Sequence, residues 1–382
     1  MKILHVGFMN PITGLGRGGI ETFLSEISKE MNKLGHEVTI ACYSDKDSKT
    51  TFEYGTILTF KIPKVFLNTR RFSSLRKIWF SFVIGNWLRQ KSKEYDIVNF
   101  HGDNGIVFDN KSQNFVSTFH GFRLRQKVWK AFSIQKINAM ILSFLEFNHI
   151  KKSNIIVCVS NAVRAFVSKY TDKPVSVIYN GIDTTHYVNI TQENKIKLRI
   201  EKSELANSKF VAIFVGLSPF NKGLDVALEV MSNFTRKQLY LIVVGIEHKE
   251  AKSLGYPDLE NVQYVGKTYG DRKLKLLQAS DFMLFPSRME GFPISAMEAM
   301  ATGNIVLCSP ESNFGEIIKN WEEAIQVSKN ESNEYVIALN KLIDDKDLRE
   351  SIMEKGITLS KNFDWKRITE EYINLYKKIL NN

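Results

Sequence analysis

The stretch SRMEGFPISAMEAMATG, Ser287 to Gly303, decides how the rest of the 382-residue sequence is read. It follows a strand-like run, Asp281–Phe285, so Glu290 falls in a short loop after a strand. Pro293 suits the first turn of a helix, because its ring presets φ and its missing N–H has no intrahelical partner to lose there. Glu298 then sits on that helix, about one and a half turns in at roughly 3.6 residues per turn. The helix N-terminus offers amides and a partial positive charge to an anion. One strand-loop-helix unit thus sets a phosphate site between two carboxylates. These would repel a bare phosphate but can accept hydrogen bonds from hydroxyls, so a nucleoside-diphosphate sugar suits the pattern better than phosphate alone. Taken alone, Glu290 and Glu298 also read as two ordinary acids flanking a helix.

Apolar runs alternate with amphipathic stretches on both sides of this segment, the βαβ signature of parallel sheets covered by helices. In the first half the pattern predicts strands near 2–8, 37–43, 95–100, 114–119, 155–159 and 175–178, with helices near 20–34, 73–91, 129–151 and 161–169. It restarts with strands near 209–216, 239–245, 262–265, 281–285 and 304–308 and helices near 222–235, 270–279, 293–302, 333–344 and 347–360. Two doubly wound α/β domains are expected, 1–182 and 209–362, joined by a polar linker over 183–208. In the terminal segment 363–382, Phe363, Ile368, Tyr372, Leu375, Tyr376 and Ile379 recur at roughly helical spacing and need a partner surface. Ligands of open α/β sheets bind outside the carboxyl ends of the strands, so the strand-end residues carry the chemistry.

Hydrophobic content of 43% with 24% charged residues is that of a globular protein. The longest strongly apolar stretch, Ile78–Leu88, has eleven residues, whereas a spanning helix needs roughly 20. MKILHVGFMN lacks an apolar run of signal-peptide length, so a cytosolic location is expected. Cys42, Cys158 and Cys308 lie far apart in apolar runs, as buried reduced thiols do. Of the net charge of +11, residues 1–182 carry +13 (26 Lys and Arg against 13 Asp and Glu) and residues 183–382 carry −2 (26 against 28). The excess concentrates in two stretches without acids, Lys61–Lys93 and Asn110–Leu145. The first carries Arg70, Arg71, Arg76, Lys77, Arg89 and Lys91 among aromatics such as Phe72. The second carries Lys111, Arg123, Arg125, Lys127, Lys130 and Lys136. Such asymmetry points to an anionic partner. Leu75, Trp79, Phe82, Val83 and Trp87 recur at helical spacing within the first stretch and suggest a helix lying on an anionic membrane surface. The same stripe would also serve as a face packed on the sheet. No nucleic-acid module is recognisable.

TGLGRGGIETF, Thr13–Phe23, places Gly14, Gly16 and Gly19 at G-x-G-x-x-G spacing. As a dinucleotide fingerprint its context is poor. Five residues separate the first strand from Gly14, and the first acid near the end of the next strand, Asp45, lies 26 residues beyond Gly19, where one about 20 residues from the first glycine is expected. Another phosphate cradle, or a flexible turn, also fits these residues.

EGFPISAME, two glutamates separated by seven residues, resembles the signature of the retaining glycosyltransferases of family four. The resemblance extends over nearly the whole chain, through Gly16–Ile40, STFHGF (Ser117–Phe122), CVSNAV, VIYNGID and FVGLSPFNKGLDVAL (Phe214–Leu228). It implies a GT-B fold, with two Rossmann-like domains facing a central cleft and a C-terminal helix crossing back to the N-terminal domain. It also implies transfer of a sugar, with retained configuration, from a nucleotide-diphosphate sugar, expected to be a UDP-sugar, to a glycan or lipid-linked acceptor of cell-envelope polysaccharide. By the same resemblance Glu290 would bond the sugar hydroxyls and Glu298 the ribose, the amides of Phe292 and Ile294 beside Gly291 would meet the diphosphate, and Lys222 after Gly216 would neutralise the leaving group. His120 would lie beside the anomeric carbon. Gly18 and Gly19 would belong to the phosphate-side loop, with Glu21 and His101 on the acceptor side. Retention through front-face attack is implied, with no cofactor and no required metal. Asp45-Lys-Asp47 and Asp345-Lys-Asp347 match D-x-D only by letter. Two positions depart from the family: Leu217 stands where an arginine is usual, and Pro293 where many members have glycine. A nucleotide-sugar 2-epimerase, a transferase using a soluble acceptor and a non-catalytic binding subunit are the alternatives.

Overall fold

The computed structural model describes residues 1–7, 18–67, 73–102, 114–121, 134–201, 205 and 208–381. Gly14, Gly16, Arg70, Arg71, Phe72, Lys111, Phe122, Arg123, Arg125, Lys127 and Lys130, singled out above, lie outside the described residues, as does the side chain of Lys136. The chain divides into two units, one formed by residues 1–180 with 365–382 and the other by 181–364.

The first unit runs β1 (Lys2–Val6), α1 (Gly19–Lys33), β2 (Glu37–Ser44), β3 (Ser48–Phe52), β4 (Gly55–Lys61), α2 (Lys64–Leu67), α3 (Ser73–Lys91), β5 (Ile97–His101), β6 (Phe115–Phe119), α4 (Ile134–Lys152), β7 (Ile155–Cys158), α5 (Asn161–Val167) and β8 (Val175–Val177). Its sheet has the order β3-β4-β2-β1-β5-β6-β7-β8, parallel throughout except for the β3–β4 hairpin. The central strands are buried on both faces, which is why they read as continuous apolar runs rather than as alternation. The hairpin is missing from the sequence expectation. Its outer strand, SKTTF, is polar and largely exposed at the sheet edge, where burial leaves no hydrophobic signature.

The second unit runs α6 (Gln192–Ile200), β9 (Phe210–Val215), α7 (Pro219–Lys222), α8 (Leu224–Met231), β10 (Leu239–Val244), α9 (His248–Ser253), β11 (Val262–Tyr264), α10 (Gly270–Ala279), β12 (Phe282–Phe285), α11 (Ile294–Ala301), β13 (Ile305–Cys308), β14 (Ile325–Gln326), α12 (Ser332–Asp344) and α13 (Lys346–Ser360). The sheet is parallel in the order β11-β10-β9-β12-β13-β14. The stretch 183–208, read above as a linker, carries α6 and belongs to this unit. From α6, Lys195 donates to the Ser280 carbonyl at 2.9 Å and Arg199 to the Ala279 carbonyl at 2.8 Å. Both side chains also reach the carboxylate of Asp281. Burial pushes the Lys195 ammonium below its ordinary pKa, against the pull of Asp281. Charged residues at an exposed-looking spacing thus hide a docked helix.

A final helix, α14 (Trp365–Leu380), returns to the first unit. Trp365, Ile368, Tyr372, Ile373 and Tyr376 are buried in one core with Phe23, Leu24, Ile27 and Met31 of α1. The Asn99 side chain on β5 donates to the Tyr376 hydroxyl at 2.8 Å and accepts from Thr118 at 2.9 Å, so the helix is keyed to the sheet by a buried polar contact. Phe363, read above with this stripe, stays in the second unit and packs on Phe292 at 5.9 Å.

Both sheets reverse their strand order once, between β1 and β5 in the first and between β9 and β12 in the second. Such switch points are where loops diverge and open a crevice for ligands.

Candidate functional site

In the second unit the loops after β9 and β12 meet at that switch point. Lys222 ends α7, and its stem passes so close to Gly216 that a Cβ there would lie 2.7 Å from Lys222 Cγ. Gly223 follows at φ 77°, and a Cβ on it would fall 2.1 Å from the Pro286 carbonyl oxygen. Only glycine lets the loop lie against the exit of β12 in that backbone conformation. Arg288 fixes the same pair of loops from the other side. Its guanidinium grips both oxygens of Asp225 at 2.8 and 2.6 Å, lies over the Phe220 ring at 4.4 Å, and is raised in pKa chiefly by the Asp225 hydrogen bond. The planar fork suits this bidentate, stacked duty where a lysine would not.

The Lys222 ammonium, so positioned, bonds Glu290 Oε1. Ser287 Oγ donates to that same oxygen at 2.7 Å, and Asn313 Nδ2 holds the Glu290 carbonyl at 2.7 Å. Among the described residues both carboxylate bonds fall on Oε1, which leaves Oε2 for a ligand donor. Glu298, buried on α11, pairs with Lys273 of α10 at 2.7 Å, and the Lys273 ammonium sits 5.2 Å from the centre of the Tyr187 ring. Each carboxylate of the E-x7-E pattern therefore arrives with its own lysine.

Sequence reasoning placed Gly216 at a strand end, Glu290 in the loop after a strand and Glu298 on the helix that follows, where the structure has them, while Lys222, expected to open a helix, ends α7. It missed Lys273, Ser287, Asn313 and the Arg288–Asp225 clamp. Arg288 had a readable signal, since it lies two residues before Glu290. Lys273 had none, because it joins Glu298 only through the fold.

The expectation for Ile294 needs correction. Pro293 has φ −85° and ψ 67° and precedes α11 as its cap, and the Ile294 amide bonds the Phe292 carbonyl at 3.0 Å. This is an inverse γ-turn, which proline's fixed φ favours. The Ile294 N–H is thus engaged locally rather than presented to an anion. Phe292 is buried and Gly291 partly exposed beside it. Leu217, in place of the usual arginine, is exposed and supplies no charge.

In the first unit Gly18 precedes α1, Gly19 and Glu21 lie in its first turn, and among the described residues nothing stands within 4 Å of a Cβ built on Gly19. Phe23, one turn on, packs against the rings of His101 and His120 at 5.2 and 4.7 Å. Three histidines form a chain here. His5 Nδ1 lies 2.8 Å from His101 Nε2, and His101 Nδ1 lies 2.9 Å from His120 Nε2. Burial pulls His5 and His120 down to about 3. The same cause, with the neighbouring histidines, holds His101 well below the usual imidazole range. All three are neutral at physiological pH. Both ring nitrogens of His101 face other histidines and its side chain is inaccessible, so the acceptor-side contact expected of it does not fit.

Comparison with known proteins agrees with this architecture. Residues 17–186 match the family described as Glycosyltransferase Family 4, and residues 195–358 match Glycosyl transferases group 1. The chain superimposes on sucrose-phosphate synthase from Thermosynechococcus elongatus with a TM-score of 0.82 over 100% of this chain and 99% of that one, at 15% identity. Two α/β units of this kind make a GT-B fold. The chain belongs to the group 1 glycosyltransferases of family four. It is 23% identical to the UDP-Gal:alpha-D-GlcNAc-diphosphoundecaprenol alpha-1,3-galactosyltransferase of Escherichia coli, over 98% of this chain and 97% of that protein. It is 25% identical to an uncharacterised glycosyltransferase of Methanocaldococcus jannaschii, over 71% of this chain and 74% of that protein.

Proposed function

We propose that the protein is a retaining glycosyltransferase that takes a hexosyl or N-acetylhexosaminyl group from a UDP-sugar and adds it to a lipid-linked acceptor of envelope or surface polysaccharide. The observation that carries this reading is the Lys222–Glu290 pair with its spare carboxylate oxygen. Glu290 Oε2 accepts a sugar hydroxyl, Glu298 accepts from the ribose, and Lys222 turns from Glu290 to the diphosphate as charge builds on the leaving group. Lys273 offers a second cation where Leu217 offers none. His120 meets the transferred sugar, and no metal is required. Support for a UDP donor and a lipid-linked acceptor comes from the activity for which the Escherichia coli relative is named. The test is a panel of UDP- and GDP-sugars. One UDP-sugar is expected to raise the melting temperature by preferential binding to the folded protein, and to release UDP only when an undecaprenyl-diphosphate sugar is added. Stabilisation without release by any acceptor would leave a binding subunit, and release without acceptor an epimerase or hydrolase.

Membrane attachment belongs to the same proposal, with a corrected surface. On α3 the stripe read from the sequence divides. Val83 and Trp87 pack against the sheet beside buried Phe80, Ile84 and Leu88, while Leu75, Trp79 and Phe82 point outward, Phe82 at 55% exposure. The neighbouring helix α4, which contacts α3, adds exposed Met140, Ile141 and Phe144, the last at 65%. Among the described residues no helix is long and apolar enough to cross a membrane. Exposed apolar side chains on helices that also carry Lys64, Lys77 and Arg89 suit a peripheral seat on the anionic inner face of a cytoplasmic membrane, each cation near the surface contributing about 1 kcal/mol. The protein is expected to float with phosphatidylglycerol vesicles at low salt and to be released at high salt. A Trp79→Glu/Phe82→Glu variant should bind at least about a hundredfold more weakly, losing two apolar contacts and adding two like charges. No flotation at low salt would refute the membrane seat.

A further inference from the structure

The three-histidine chain has a property that none of its members has alone. A neutral imidazole carries one N–H and one bare nitrogen, and each N···N contact needs one of each. His5, His101 and His120 therefore have two consistent arrangements. In one, His5 Nδ1–H donates to His101 and His101 Nδ1–H to His120, which leaves a proton on His120 Nδ1. In the other, His120 Nε2–H donates to His101 and His101 Nε2–H to His5, which leaves His120 Nδ1 bare. Changing one ring alone sets N–H against N–H at one contact, or lone pair against lone pair, and so loses a buried hydrogen bond. The three tautomers change together or not at all.

The sheet imposes this geometry. In the parallel register His5 lies beside Asn99 on the neighbouring strand, and His101 beside Thr118. Side chains two residues apart share a face, which brings His5, His101 and His120 onto one side, under Phe23 of α1. At the two ends, His5 Nε2 and His120 Nδ1 are buried without a protein partner among the described residues. No carboxylate among those residues bonds His5 Nε2. The end that concerns the proposed role in the reaction is His120 Nδ1.

We propose that His5 and His101 are positioning residues for His120. Through the shared hydrogen bonds they fix which nitrogen of His120 carries the proton, and hence whether its buried Nδ1 carries an N–H or a lone pair when the sugar is bound. The functional half of this statement rests on the role of His120 given above; the coupling of the tautomers does not.

The experiment uses the full chain labelled with 15N-histidine, with His120 assigned by its loss in His120→Ala. Nitrogen shifts distinguish protonated from bare ring positions. Wild type should show one tautomer at His120. His5→Phe should mix or reverse that tautomer although the substituted position is separated from His120 by His101, and should lower kcat about 10- to 100-fold with little change in donor KM. His5→Asn, whose amide replaces the Nδ1 position, should recover a single tautomer and most of the rate. His101→Gln gives a second cut if His5→Phe does not fold, because its amide keeps the bond to His5 while releasing His120. An unchanged single tautomer at His120 in both His5→Phe and His101→Gln overturns the proposal. Wild-type turnover in His120→Ala would instead overturn the sugar-facing role of His120, with the coupling judged separately from the spectra.

Discussion

Replacing Glu290 by Gln is expected to lower turnover about 10²- to 10³-fold at saturating donor, the scale seen when one group aimed at developing charge is removed from a preorganised site. Glutamine keeps the shape and one acceptor but not the charge that holds Lys222. Lys222→Ala should fall in the same range, because it deletes the cation that, in the proposed function, turns to the leaving diphosphate. The two residues share a bond, so their effects will not add. The double variant should be no more than about tenfold worse than the poorer single one. Ser287→Ala, which removes a neutral hydrogen bond to the same oxygen, should cost much less. Circular dichroism and thermal midpoints close to wild type would show that the units remain folded. Near-normal kcat in both single variants would remove this pair from the reaction.

The largest effect on stability is expected from Tyr372→Ala on α14. The ring is fully buried and packs edge-on against Phe23 at 5.6 Å and against Tyr376 at 6.0 Å. Deleting a large buried aromatic side chain costs about 3–5 kcal/mol, the transfer term plus the cavity left behind. Tyr376→Phe should cost about 1–3 kcal/mol, because it strands the Asn99 amide in the core. Urea unfolding of the first unit is the measurement. A midpoint for Tyr372→Ala within error of wild type would mean that α14 contributes little to that core. Lys378→Ala, on the solvent face of the same helix, should leave the midpoint where it was.

Where the sequence could be read and where it could not follows from what each residue answers to. The long buried strands and amphipathic helices were legible because periodicity reports burial: 73–91 and 270–279 are the helices observed. Strand β3 and helix α6 were not, the first because an edge strand needs no apolar face, the second because its buried residues are Lys195 and Arg199, which composition assigns to solvent. At the site, Glu290 and Glu298 stood out through spacing within one strand-loop-helix unit, and Lys222 through the family resemblance of the loop after another strand. Lys273 is tied to Glu298 from a different helix and had no local signal. The histidine chain lies between these cases. His101 and His120 are both strand-end residues, but their contact and the recruitment of His5 depend on the order β1-β5-β6, which becomes visible only once the sheet is assembled.

The chain path of the first unit bears on how the protein is made. Its sheet and α1 are complete in sequence by Asn180, yet the helix that covers them begins at Trp365, after the whole of the second unit. During synthesis, at about 5–20 residues per second, domains generally fold as they emerge. Here the first unit must wait on the order of 10 to 40 s for α14, with Phe23, Leu24 and Ile27 lacking part of their cover. In that interval the apolar residues of α1 that α14 will cover have no helix against them. The second unit, contiguous in sequence, has no such delay.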